Sequence, residues 1–472
     1  MFKKAYLLAF LALAAPLGAA AWEDQGGSIT GLKEATPRLM QQADIPGFQI
    51  ALIQDGKVVW NQAFGQADKA GQVAASQETL FPAASLSKPV FAYAVLKLAE
   101  QGKIDLDQPI SQYLPGYIEE DPRIDAITAR HVLSHTCGFP NWRPRGGELK
   151  ILFQPGERFS YSGEGYVYLQ NAVERITAKP MDDFVREMVF DPLGMKDSSY
   201  VWQKRFEGRT ARGHDAQGKT HPLRKSTEAN AAASLYTTSA DYARFVTAVL
   251  NGQGLKRETW DEMLTSQIPV DRRNDARAAQ KLSWGLGWGL QEGDGDTAFW
   301  HWGDNGDFKC YVVAWRGRKS GLVYFTNSEN GLSIPREILQ AGLGEVHPAL
   351  SWLSYEPYNG PSRVFMKQLD QGLEAALQSL RELQAGGRLK ERWINNLGYR
   401  LLRERKIEEA IGVFQLNCQV FPEAFNVWDS LGEAYLEKGE RQKAIESYQK
   451  SVHLNPDNQN GVEALKKLRE KN

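Results

Sequence analysis

The chain has 472 residues, 42% hydrophobic and 24% charged, enough for two or three domains with sizeable cores. Lys and Arg total 56 against 57 Asp and Glu, a net charge of -1 with no block of like charge. With that balance, nucleic acid is not an obvious partner. At the start, Lys3 and Lys4 precede the apolar run Ala5 to Ala15, and Ala19-Ala20-Ala21 offers an A-x-A exit before Trp22. This predicts a signal peptide over residues 1–21 and export, to the periplasm. The run is too short to span a bilayer comfortably, and no second stretch of about twenty apolar residues follows, so no membrane span is expected after cleavage. Cys137, Cys310 and Cys418 fit no zinc or redox spacing, and whether Cys137 and Cys310 pair stays open.

Apolar runs at Phe48 to Ile53 and Lys57 to Phe64, parted by Asp55-Gly56, predict a hairpin. Ser85 then opens a helix carrying Phe91, Val95 and Leu98 on one stripe, with Gly102 as its stop. A mixed, largely helical region follows to about Val249. The period returns to strands at Thr297 to Trp302, Phe308 to Arg316 and Leu322 to Thr326. Strands at both ends with helices between predict one α+β domain over 22–350, its sheet completed by distant segments. From about Pro361 only helical patterning remains, with a helix around Phe365 to Leu383 inside a linker-and-helix stretch, 351–390. Over 391–472 a 34-residue repeat appears: Ile394, Leu397, Gly398, Leu401, Ala410, Phe414 and Pro422 recur as Trp428, Leu431, Gly432, Tyr435, Ala444, Tyr448 and Pro456. The second copy matches the tetratricopeptide pattern W-x2-L-G-x2-Y, and the two glycines let paired helices approach closely.

Chemistry concentrates in three segments. Ser85-Leu86-Ser87-Lys88 puts a hydroxyl and an amine one turn apart at a helix start. A lysine among apolar walls can lose its proton near neutral pH and activate the serine, while helix N–H groups face developing negative charge. The pattern is not specific by itself: Ser447-Tyr448-Gln449-Lys450 also matches, inside the repeats, where it reads as a helix cap with a solvated lysine. The second segment, Phe159 to Tyr166, is rich in small residues and carries two tyrosines, Tyr161 and Tyr166; a tyrosine near a lysine can accept the serine proton and return it to a leaving group. The third, His301-Trp302-Gly303-Asp304, ends a strand, and Gly303 lets substrate approach the strand edge. His131 and His135 are four apart, yet no third ligand is evident, so they read as shaping the cleft floor rather than binding metal. No glycine-rich phosphate loop occurs, and no cofactor is indicated.

Together and in this order, these segments resemble the serine β-lactamase-like superfamily, in the branch of class C β-lactamases, D-alanyl-D-alanine peptidases and related esterases. Further matching wording lies at Ile127 to Thr136, Pro192 to Lys196 and Trp284 to Trp288, and the resemblance covers about Gly31 to Gly344. It implies a β-lactamase/transpeptidase-like domain, an antiparallel sheet with a helical region, ahead of the helical repeats. By that resemblance Ser85 is the acylated nucleophile, Lys88 its base and Tyr161 the proton shuttle. His301-Trp302-Gly303 replaces K-T-G, with His301 assisting Tyr161, and the oxyanion lies between the N–H groups of Ser85 and Asp304. One departure stands out: the usual Tyr-x-Asn has Gly163 as its third position. The asparagine that would help hold lysine and substrate amide is absent, which weakens a β-lactamase or strict D-alanyl-D-alanine peptidase reading and leaves room for esters or unusual amides.

The expectation is an exported serine hydrolase acting on small esters, D-amino-acid amides or peptides, or β-lactams. The alternative is a catalytically weak sensor of cell-wall fragments or penicillins, whose repeats over 391–472 recruit a protein partner.

Overall fold

The computed structural model describes residues 28–470 other than 145, 272–275, 294 and 346, so the expected leader over 1–21 lies outside the described residues. Two compact units emerge: one runs to Gly331 and includes Pro335–Leu353, the other takes Leu332–Ile334 and the chain from Ser354 onward.

In the first unit, helix α1 (Ile29–Ala43) starts where the Ser28 hydroxyl accepts from Gly31 N–H. It leads into β1 (Gly47–Gln54) and β2 (Lys57–Asp68). Asp55 and Gly56 both take positive φ, 48° and 67°, the pairing that matches strand twist in a two-residue hairpin. Short strands β3 (Val73–Ala74) and β4 (Phe81–Pro82) precede helix α2 (Ser87–Glu100); β5 (Tyr236–Thr237) pairs with β4. Strands β6 (Ile268–Pro269), β7 (Leu282–Trp284), β8 (Gly289–Glu292), β9 (Thr297–Asp304), β10 (Lys309–Trp315) and β11 (Ser320–Thr326) follow. Among the described residues the main sheet has nine strands in the order β3-β2-β1-β11-β10-β9-β8-β7-β6. The ladders pair antiparallel, and β1 lies against β11 with Phe48 opposite Thr326 and Ile53 opposite Gly321. The first and last strands of the unit are therefore neighbours, as the sequence pattern predicts.

Both faces of this sheet are covered. Ala51, Ile53, Val323 and Phe325 point into one core with Phe91 and Tyr242. The alternate residues serve the other face, where Phe48 stacks on Tyr324 at 5.1 Å, and Gly342 lies so near Leu32 and Leu322 that a Cβ would sit 3.1 Å from each. Buried on both sides, β1, β10 and β11 read as nearly continuous apolar runs. Helix α2 is buried almost all round from Ser87 to Leu98, which makes it the core of the helical region rather than a surface helix. It ends before Gly102, whose φ of 69° only glycine takes freely. Two further helices complete the scaffold of the site: the short α3 (Ala129–Leu133) and α4 (Gly163–Thr177).

The second unit is a stack of helices. Where the pattern predicts one helix around Phe365 to Leu383, there are two, Pro361–Leu369 and Leu373–Ala385. They break at Gly372, whose φ of 107° no helix accommodates. Helices Glu391–Arg403, Ile407–Val420, Phe425–Lys438, Arg441–Leu454 and Gln459–Glu470 follow. The repeat glycines meet rings: a Cβ on Gly398 would lie 2.4 Å from the Phe414 ring, and one on Gly432 3.0 Å from Tyr448. Among the described residues, no helix of the chain is long and apolar enough to cross a membrane.

Candidate active site

The Ser85 segment is held from several sides. Ser85 occupies a single 3-10 turn, Ala84–Leu86, just ahead of α2 rather than within it. Ala84, the residue before it, has φ of 47°, a strained conformation for a residue with a Cβ. The strain persists because neighbours fix the turn. Ala83 N–H donates to Leu235 O at 2.7 Å, the Ser87 hydroxyl donates to Ala84 O at 2.6 Å, and the Tyr242 hydroxyl donates to Leu86 O at 3.0 Å. Strand β9 runs alongside. A Cβ on Gly303 would lie 2.6 Å from Ala83 O, 3.1 Å from Ala84 Cβ and 2.3 Å from Cys310 Sγ. Glycine is what lets the strand edge reach the serine turn.

Lys88 sits one turn on, fully buried. Its Nζ donates to Ser85 Oγ at 3.1 Å and to Ala232 O at 2.9 Å, and lies 4.8 Å from the ring centre of Tyr161. Burial without a counter-charge lowers its pKa from 10.5 to about 7. The second S-x-x-K segment shows the contrast: Lys450 is exposed, and Ser447 merely donates back to Lys443 O at 2.8 Å.

Tyr161 lies in the loop before α4 with its hydroxyl sealed from solvent. Burial pushes the phenol well above its ordinary pKa, and the nearby Ser85 hydroxyl opposes that rise without completing a standard hydrogen bond. What positions this tyrosine is His135, which sequence reasoning left on the cleft floor. Ser160 N–H donates to His135 O at 2.8 Å, and Ser162 N–H donates to His135 Nδ1 at 3.0 Å, so Tyr161 is strung between two anchors on one residue. The rings of His135 and Tyr161 are 4.2 Å apart, and His135 takes a φ of 58° to reach this place. The only signal of this in the chain is the wording His135-Thr136-Cys137-Gly138. His131 does something else: its N–H and Nδ1 form a capping box with Thr128 at the start of α3.

His301 is buried and faces the same cluster, its ring 6.0 Å from Tyr161. Its Nδ1 lies 2.8 Å from Trp302 O, an acceptor, so that nitrogen carries the proton and Nε2 keeps its lone pair. Burial, reinforced by Lys88, lowers its pKa to about 3, so the imidazole is neutral at ordinary pH. Trp284, from the Trp284-Gly285-Leu286-Gly287-Trp288 wording, packs against His135 at 5.1 Å and His301 at 5.5 Å and closes the cluster. Asp304 ends β9 with its carboxylate paired to Lys309.

Gly163 opens α4, where the Ser162 hydroxyl accepts from Gly165 N–H at 2.9 Å. Its N–H reaches Asn141, on the loop after His135, through both Asn141 O at 3.0 Å and Asn141 Oδ1 at 3.1 Å. Next along, the buried Glu164 pairs with Arg143 at 2.6 Å. Burial pushes this carboxyl up, but the Arg143 hydrogen bonds outweigh it and hold it below its ordinary pKa. All three cysteines are buried free thiols. Thus Ser85, Lys88, Tyr161, His301 and Gly303 converge on one place, and Asp304 and Gly163 stand at its margins. The arrangement pairs a hydroxyl with an amine whose pKa burial lowers to about 7, beside a phenol and a strand edge: the makings of acyl transfer.

The sequence profile of the Beta-lactamase family matches residues 32–342, and that of the tetratricopeptide repeat matches residues 425–458. Penicillin-binding protein 4* of Bacillus subtilis (strain 168) is 24% identical over 349 residues, spanning 66% of this chain and 73% of that protein. Two solved structures share the fold at 19% identity. The β-lactamase/D-alanine carboxypeptidase of Pseudomonas syringae superposes with a TM-score of 0.58, over 66% of this chain and 98% of that one. EstCE1, described as a hydrolase with promiscuous acyltransferase activity, gives 0.57 over 66% and 96%. With the profile matching well over half its length, the chain belongs to the beta-lactamase family and carries a tetratricopeptide repeat toward its C-terminus.

Proposed function

We propose that the protein is an exported serine hydrolase that works through an acyl-enzyme at Ser85. One observation carries the reading: Lys88 is fully buried, 3.1 Å from Ser85 Oγ, with its pKa lowered to about 7. In the neutral form it takes the serine proton as Oγ attacks a substrate carbonyl. The developing oxyanion is received by the N–H of Ser85 and by the end of β9 at Asp304. Tyr161 relays that proton from the Lys88 ammonium to the leaving group, taking one proton as it gives one, and the neutral His301 assists it through its uncharged dipole. Water then releases the acyl group. The substrates are small esters, D-amino-acid amides or peptides, or β-lactams; with Gly163 in place of an amide side chain, esters are the first class to try.

Export is supported by the leader pattern over residues 1–21 and by the likeness to a bacterial penicillin-binding protein. The tetratricopeptide region supports a second role, binding a protein partner, and with it the sensor reading, in which acylation is slow and the adduct persists.

The test sets wild type beside Ser85→Ala, each mixed in turn with a short ester, a D-alanyl amide and a penicillin, following protein mass and substrate loss together. Turnover in wild type alone supports the hydrolase. A stable mass gain without turnover moves the protein to the sensor. Equal hydrolysis by both proteins overturns the assignment of Ser85.

A further inference from the structure

At Gly163 a Cβ would lie 2.8 Å from Asn141 O and 2.8 Å from Cη2 and Cζ2 of Trp142, so the indole, with that carbonyl, fills the space that a side chain there would take. This is two residues from Tyr161. The ring is no loose surface group. Asn141, on one side, accepts from the N–H groups of Gly163 and Glu164 at 3.0 and 3.1 Å. Arg143, on the other, donates to the Glu164 carboxylate from its backbone at 3.0 Å and its guanidinium at 2.6 Å. Both flanks of Trp142 are thereby clamped to the first turn of α4, yet the side chain is 46% exposed. Few large apolar side chains of the described residues stay so open, and an indole already fixed in place stacks on a flat group at little entropic cost. Trp302, half-buried with its ring 4.8 Å from that of Tyr161, adds a second indole to the same neighbourhood.

We propose that Trp142 is a specificity-determining residue: its exposed face is a platform for a planar apolar group, an aromatic ring, on the acyl part of the substrate. The acyl part is the portion that remains on Ser85 through both steps, and so the one a fixed surface serves longest. This inference rests on the reading of Ser85 as nucleophile.

Boronic acids test it without knowledge of the natural substrate. The serine oxygen adds to trigonal boron, forming a B–O bond as its proton passes to Lys88, and the boron substituent stands where an acyl chain would. The full chain is titrated with 2-phenylethylboronic acid and with butylboronic acid, as wild type, Trp142→Ala, Trp142→Phe and Ser85→Ala. Loss of the indole is expected to weaken the phenylethyl compound about five- to tenfold and the butyl compound less than about twofold, with Trp142→Phe restoring most of the difference. An unchanged ratio in Trp142→Ala, with binding still dependent on Ser85, overturns the platform alone. Absence of binding to wild type, or equal binding to Ser85→Ala, overturns the serine reading and this inference with it.

Discussion

The pKa of Lys88 links activity and stability at a single residue. In the proposed mechanism its neutral form takes the serine proton, so kcat/KM is expected to rise with pH along an acid limb centred near pH 7, the value to which burial lowers this amine. A flat profile between pH 6 and 8 would remove Lys88 as the base. Stability follows the same shift. Between about pH 7 and 10.5 the unfolded chain holds a proton that the folded chain has released, so the folded state gains as pH rises through that window. At or below neutral pH the cost of burying this amine is felt nearly in full. Lys88→Met should therefore abolish turnover and still raise stability at pH 7 by roughly 1–3 kcal/mol, after allowing for the lost contact to Ala232. The gain should shrink toward pH 10. Denaturant melts at both pH values check it; a loss of stability at pH 7 contradicts the cost of the buried amine.

At the scale of elements, the site depends on a strand, a strained turn and a helix start being pressed together. Gly303 is the closest point of that approach, with Ala83 O, a backbone atom, in the way of any Cβ. Gly303→Ala should destabilise the protein by about 1–3 kcal/mol, because the obstacle cannot swing aside. It should also cut kcat on the order of a hundredfold, because displacing β9 by an ångström misplaces the oxyanion contacts. Kinetics and thermal melts of the same variant report the two effects. Unchanged kcat would mean that the strand edge at Gly303 plays no part. The anchoring of Tyr161 by His135 belongs to this scale too: two hydrogen bonds from one residue fix a loop that has no ladder of its own.

Across the whole molecule, the two units have separate cores, one around α2 and the sheet, the other among Phe365, Leu380, Leu397, Phe414 and their neighbours. A change confined to the second core is therefore expected to act on that unit's stability. Gly398→Ala drives a Cβ against the Phe414 ring and should lower the unfolding midpoint of the helical unit, costing about 1–3 kcal/mol, while leaving the rate of acylation at Ser85 unaltered. Calorimetry alongside acylation kinetics makes the comparison; a matching loss of acylation rate would mean that the units act as one.

Much of this was legible in the chain itself. The Asp55-Gly56 hairpin, the three late strands, the 34-residue repeat and the S-x-x-K pair all rest on short-range rules, period and turn chemistry, that a sequence carries openly. The sequence also marked Ser85 and Lys88 through residue type and spacing, and Tyr161 through the family resemblance, and the structure brings the three side chains together. It did not show that Lys88 loses its counter-charge and Lys450 keeps its solvent, since the same four-residue pattern describes both. Nor did it show that His135 holds Tyr161, that Gly303 meets Ala83, or that Trp142 fills the space beside Gly163. Each of these is a contact between segments far apart in sequence, and burial, which sets a pKa or fixes a ring, exists only once those segments have packed.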